Sequence, residues 1–230
     1  MVTRFILTTT ALTLGASAVA AQSLTDGAYI QGFVGYSQLQ DSDFSGSIGG
    51  ANQTVATDFD DGYGLGVAVG KEIPQWSSDA IGTRIELELS YRDNDVDGVN
   101  FSGNGPAPEG NVSGDISQTS LFANVLFDFK GTGGTLTPYA GFGLGATYSD
   151  IDFVYGPGVA LDDSDTNFAA QLIAGVAYDI NTTTAFTVDA RYSRAFNVSS
   201  ERLNAAGAST GTVEDDLDTF SLNFGLRYSF

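Results

Sequence analysis

Ionisable side chains recur at alternate positions in one short stretch: Arg84, Glu86, Glu88 and Arg92, with Ser90 between them. Two carboxylates on one face of a strand could divide acid and base work in a hydrolase. The same spacing lets Arg84 and Arg92 neutralise them, and charges withdrawn from water must be paired. The pairing reading is the stronger, because the chain contains no His, the usual proton-transfer group near neutral pH. A second acidic stretch, Asp93-Asn94-Asp95-Val96-Asp97-Gly98, copies the first half of a calcium-binding loop. Its twelfth position is Asn104 where such a loop needs a bidentate Glu, so it predicts at most a loose divalent-cation site. No resident metal and no cofactor are expected.

The elements that must position these groups are strands. Period-2 alternation dominates the chain, and no segment sustains a helical period. The clearest run sets Thr83, Ile85, Leu87, Leu89 and Tyr91 against Arg84, Glu86, Glu88, Ser90 and Arg92. Seven others behave alike. Near the start, Ile30, Val34 and Tyr36 oppose Tyr29, Gln31, Phe33 and Ser37, and then Tyr63, Leu65, Val67 and Val69 oppose a row of glycines. Further on, Leu121, Ala123, Val125, Phe127 and Phe129 oppose Ser120, Asn124 and Asp128, while Phe142, Leu144 and Tyr148 alternate with Gly141, Gly143 and Gly145. Leu172, Val176 and Tyr178 oppose Gln171 and Gly175; Phe186, Val188 and Tyr192 oppose Asp189 and Arg191. The last run carries Phe220, Leu222, Phe224, Leu226, Tyr228 and Phe230 against Ser221, Asn223 and Arg227. Eight amphipathic strands are therefore predicted, with one interior charge network of Arg84, Glu86, Glu88, Arg92, Asp128, Asp189, Arg191 and Arg227.

Their connections alternate in length. Those at Glu72–Ile81, Gly131–Thr135 and Asn181–Thr184 are short; those at 39–61, 93–116, 149–166 and 197–216 read as long loops. Most of the acid falls in the long ones: Asp41, Asp43, Asp58, Asp60, Asp61, Asp93, Asp95, Asp97, Asp150, Asp152, Asp162, Asp163, Asp165, Asp215 and Asp216. Arg4, the apolar stretch Phe5–Leu14 and the small residues Ala18-Val19-Ala20 read as a secretory signal peptide over residues 1–21, leaving 22–230 as one domain. A net charge of −19 with nine unclustered basic residues argues against nucleic acid. The absence of Cys excludes a disulfide scaffold. Secreted, alternating strands with uneven loops predict an all-β, eight-stranded antiparallel up-and-down barrel spanning an outer membrane, since only closed barrels satisfy every strand hydrogen bond in lipid. At eight strands the interior is just wide enough for side chains to fill it, and the inward glycines leave some room for a narrow water path.

The segments Tyr29-Ile30-Gln31-Gly32-Phe33-Val34-Gly35-Tyr36, Pro138-Tyr139-Ala140-Gly141-Phe142-Gly143-Leu144-Gly145 and the final strand resemble the OmpA-like/opacity-protein family of eight-stranded outer-membrane barrels. The resemblance covers the whole mature chain and implies architecture more than activity. It implies that the terminal Phe224, Leu226, Tyr228 and Phe230 form the signal read by the barrel-assembly machinery. It also argues against an enzyme, because the acyltransferase, deacylase, phospholipase and protease barrels resemble one another in using a His base. The expected function is non-enzymatic: envelope integrity and surface interaction through acidic outer loops, with a narrow porin-like channel as the alternative. Expected partners are outer-membrane lipid, lipopolysaccharide and divalent cations at the acidic loops, with the chain a monomer.

Overall fold

The computed structural model describes residues 27–48, 51–59, 61–102, 112–132, 134–155, 159–203 and 209–230. The proposed signal peptide, Asp60 and Asn104 lie outside them. Eight long strands make the wall: β1 (Ala28–Leu39), β4 (Asp61–Glu72), β5 (Ile81–Ser102), β6 (Val112–Phe129), β7 (Leu136–Tyr155), β8 (Val159–Asp179), β9 (Thr184–Leu203) and β10 (Ser209–Ser229). Each pairs antiparallel with its neighbour in this order, and β10 closes the ring on β1. A short hairpin of β2 (Ser42–Ile48) and β3 (Ala51–Phe59) completes the chain order.

The register fixes the shape of the ring. Followed from Thr83 through Phe127, Ala140, Ala174, Ala190, Leu222, Tyr36 and Tyr63, a hydrogen-bonded row returns to β5 at Asp93. That stagger over eight strands requires a tilt of about 40° and a backbone radius of about 8 Å. Inward side chains meet across such a bore. On the outside, Ile30, Val34, Leu65, Val67, Leu87, Leu89, Leu144 and Leu172 stand exposed as a continuous apolar belt. Aromatic side chains bound it at both edges: Trp76, Phe129, Tyr178, Tyr228 and Phe230 beside the short turns, and Tyr36, Tyr63, Tyr148, Phe168 and Phe220 at the other end. Ten residues of tilted strand separate Phe220 from Phe230, which spans about 25 Å, the height of an outer-membrane hydrocarbon band.

Beyond the far girdle the structure departs from the sequence reading. The segments read as long loops are largely strand: β5 runs on to Ser102, β6 begins at Val112, β7 reaches Tyr155 and β10 begins at Ser209. β1 and β4 stop at the girdle, and the β2–β3 hairpin continues the wall in their place, pairing with β10 on one side and β5 on the other. The alternation fades there because the outer surface meets water instead of lipid, so Asp, Ser and Thr replace the apolar residues that mark a membrane strand.

Two irregularities shape the outer half of β9. Asn197 adopts a left-handed backbone, φ 53°, at a bulge where β9 slips against β10 between Ala195 and Val198. The extra residue reverses the side-chain phase and turns Val198 inward. The β8–β9 ladder also breaks: it runs up to Ala169↔Ala195 and resumes only at Leu161↔Arg202. At the opposite end, Thr83, placed by pattern on the lipid face, is instead covered by the β4–β5 turn, where its hydroxyl donates to the Trp76 carbonyl at 2.7 Å.

Candidate functional site

The lumen is the site where the chemistry-bearing residues converge, and two different plugs fill it. The lower plug is ionic. Arg84 donates from Nε to both Asp128 oxygens at 3.1 and 2.9 Å and lies 3.8 Å from Glu86. Arg191 pairs with Glu88, and with Asp189 at 2.7 Å. Neutral groups tie these pairs together. Asn124 Nδ2 donates to Glu86 at 3.0 Å and to Glu88 at 2.9 Å, and Gln171 donates to Asn124 at 2.8 Å. Tyr29 donates to Glu86, Tyr139 and Asn223 donate to Asp189, and Arg84 donates to the Tyr29 hydroxyl. Every carboxylate of this group therefore has an Arg or several N–H and O–H donors, which is the condition for burying charge at all.

Two members of the predicted network sit differently. Arg92 is buried, and its Nε donates to Ser221 at 3.2 Å, with no carboxylate within 4 Å among the described residues. The Glu88 charge that sequence proximity assigned to Arg92 goes to Arg191, brought across by closure of the ring. Arg227 lies at the lower rim with its guanidinium 5.6 Å from the Tyr29 ring centre, a cation–π contact. At two of the inward glycines of β4 the space is already taken. A Cβ on Gly70 would stand 2.3 Å from the Tyr29 ring, and one on Gly66 would stand 2.3 Å from the Phe33 ring. These aromatics occupy the room. Apolar interior residues that break the alternation, Leu126 and Ile173, pack with Tyr139, Ala177 and Ala185 in the same half.

Above the ionic layer come short polar side chains: Ser120 hydrogen-bonds Thr147 at 2.9 Å, and Thr219 donates to Gln118 at 3.1 Å. Above these is the second plug, and it is apolar. Leu39, Ile116, Ile151, Val198 and Leu217 all point inward from five strands and are at most 2% exposed. Sequence reading missed all five, since they lie in or beside stretches taken for loops. The bulge at Asn197 is what delivers Val198 to this group. At the same end the Ser37 hydroxyl donates to Asn94 Oδ1, and Asn94 Nδ2 donates to the Ser37 carbonyl, both at 3.0 Å.

The broken β8–β9 ladder is held by side chains in place of the backbone. Asp165 accepts from the Ser199 hydroxyl at 3.0 Å, from the Ser199 amide at 3.3 Å and from Asn167 at 3.0 Å; Asn167 also donates to the Asn197 carbonyl at 2.9 Å. Partial burial pushes the Asp165 carboxyl up, and these donors, with the Thr166 amide, more than reverse it, holding it below the ordinary 3.8. Phe168 and Phe196 stack at 5.8 Å beneath.

The segment resembling half a calcium loop is plain strand: Asp93, Asn94 and Asp95 pair with Ser117, Ile116 and Asp115. Asp93 accepts from the Tyr63 and Tyr91 hydroxyls. Extended backbone cannot curl its carboxylates around one ion. Among the described residues no three acidic side chains converge as a metal site. The side chains of Asp58, Asp97, Asp152, Asp162 and Asp163 lie outside the described ones. Phe224, Leu226, Tyr228 and Phe230 face outward on β10.

A closed ring of eight tilted strands with an apolar belt, two aromatic girdles and a charged interior defines a transmembrane β-barrel. The chain belongs to the outer membrane protein beta-barrel domain family, whose model matches residues 7–230. Among solved structures, OprG from Pseudomonas aeruginosa is similar at 16% identity, covering 90% of this chain and 98% of OprG, with a TM-score of 0.56. Neisserial surface protein A is similar at 16% identity, covering 89% of this chain and 98% of that one, with a TM-score of 0.52. The Escherichia coli outer membrane protease OmpT superposes with a TM-score of 0.55 at 9% identity, covering 88% of this chain and 97% of OmpT. At these identities the likeness is one of fold. No curated protein matches the sequence.

Proposed function

We propose that this chain is a non-enzymatic, non-conducting barrel that reinforces the outer membrane and presents an acidic surface to the outside. The observation that carries the proposal is the doubly filled lumen: an ionic plug within the membrane and an apolar one beyond it. The carboxylate pair that could have done chemistry, Glu86 and Glu88, is fully engaged in that plug, and the chain has no His to serve as a base. At the outer end Asp41, Asp43, Asp95, Asp150, Asp165, Asp215 and Asp216 give the rim a negative field, suited to divalent cations that bridge to lipopolysaccharide phosphates. Export by the N-terminal signal, recognition of Phe224, Leu226, Tyr228 and Phe230 by the assembly machinery, and a monomeric state complete the reading. Planar-bilayer recording tests it. The filled lumen predicts no reproducible openings, and steady unitary steps would overturn it in favour of a narrow porin-like channel.

A further inference from the structure

We propose that the lipid-facing side of β7, β8 and β9 holds one acyl chain of lipopolysaccharide, with a divalent cation joining its phosphate to Asp216. The inference rests on the reading of an acidic rim that meets lipopolysaccharide through cations, and it assigns that contact one place. A groove of about 540 Å³ lies there, lined by Phe142, Leu144, Ala170, Leu172, Tyr192 and Phe196, and it ends at Arg194. Register makes the hollow. Ala170 stands between Leu144 and Arg194, a methyl group between two long side chains. Two residues nearer the short turns, Leu172 stands between Phe142 and Tyr192. At the upper end Phe196 stacks on Phe168 of the outer girdle. The groove thus opens at the girdle and runs down into the outer half of the apolar belt, so an acyl chain is what fills it.

The head group is met there by an unequal ionic triad. Asp218 takes two nitrogens of Arg194, Nε at 2.6 Å and Nη2. The third, Nη1, faces Asp216 Oδ2 at 3.6 Å, too long for a hydrogen bond. The other Asp216 oxygen accepts the Asn197 amide at 2.9 Å, which fixes this carboxylate at the bulge. Both the Arg194 and the Asp216 side chains are more than a third exposed. Two carboxylates against one guanidinium leave the triad negative, so it repels a bare phosphate. A divalent cation reverses that balance. The phosphate then accepts from Nη1 and shares the cation with Asp216, so that positive and negative groups alternate from Arg194 to the carboxylate. Calcium or magnesium suits these oxygen ligands, with water completing the shell. The height selects lipopolysaccharide, whose phosphates lie at this girdle, over the phospholipids of the other leaflet.

Native mass spectrometry of the full folded chain in detergent tests the site, with lipid A as the probe and either calcium or EDTA present. In calcium one lipid A should be retained, and EDTA should lower its retention about fivefold, the worth of one partly exposed ionic contact. Asp216→Asn, which keeps an acceptor for the Asn197 amide, should do the same in calcium. Ala170→Phe fills the groove and should lower retention about tenfold with or without calcium. The shift between unheated and boiled samples on a gel confirms that each variant folds, and Ala170→Leu replaces Ala170→Phe if the latter does not. Retention indifferent to EDTA, or undiminished by Ala170→Phe, overturns the proposal. Calcium-dependent retention that survives both substitutions also overturns it, while leaving the acidic rim as a whole in contact with lipopolysaccharide.

Discussion

The two ends of the lumen are built on opposite plans. Within the membrane the wall is apolar outside and ionic inside; beyond the outer girdle it is acidic outside and apolar inside. The wall thus inverts its polarity over a few residues, at the height where β2 and β3 take the place of β1 and β4. In both regions the outward side chains match the surrounding medium, and the inward ones are whatever can fill the narrow bore without touching that medium. The difference lies in how each filling is held. Ions in the lower plug depend on pairing, and a lost partner leaves a buried charge. Aliphatic groups in the upper plug depend on volume, and a lost group leaves only a cavity.

That contrast orders the expected effects. Arg191→Ala strips Glu88 and Asp189 of their shared cation and should cost about 3–5 kcal/mol in reversible unfolding from lipid vesicles. Leu87→Arg, on the belt, should cost about 2–4 kcal/mol in the same assay, as charges near the midplane of a barrel do. Leu217→Ala in the upper plug should cost about 2–3 kcal/mol, and hydrogen exchange should show the loss concentrated outside the membrane. Equal effects of Arg191→Ala and Leu217→Ala on the membrane strands would erase the distinction between the plugs.

The smallest effect belongs to the broken ladder beside the upper plug. Asp165→Ala should speed amide exchange over residues 196–201 by about fivefold to tenfold, the worth of hydrogen bonds to a charged acceptor at a partly exposed site. Because the folded carboxyl titrates below 3.8, its contribution is present above that value and fades as pH falls through the folded pKa. Exchange over 196–201 should therefore rise in acid below 3.8 in the wild type and stay flat with pH in Asp165→Ala, once intrinsic rates are divided out.

The sequence made the membrane belt plain and the upper wall obscure, for one physical reason. Alternation is visible where one face meets lipid and the other must be polar, as from Ile85 to Leu89. It blurs where both faces carry small polar groups with only an occasional Ile or Leu, as around Ile116 and Ile151. The ionic residues were legible as a set, because Arg84, Glu86, Glu88, Asp128, Asp189 and Arg191 all occupy inward positions. Their partners were not. Glu88 meets Arg191 only because the ring closes, while the neighbour two strand positions beyond Ser90, Arg92, reaches Ser221. The phase change at Asn197 has no pattern to announce it, since one left-handed residue suffices to turn Val198 inward. Phe122 and Leu126 are buried apolar residues on the inward face of β6, beside the polar Ser120 and Asn124 from which that face was read.

Sealing of the lumen from both ends is the central claim, and the absence of native Cys makes it directly measurable. Single-Cys variants Ser193→Cys, between the two plugs, and Thr212→Cys, on the outer surface, can be exposed to a charged, membrane-impermeant thiol reagent in folded protein. A sealed lumen predicts rapid, complete labelling at position 212 and labelling at 193 only after unfolding. Rapid labelling of both in the native barrel would show an open lumen and contradict it.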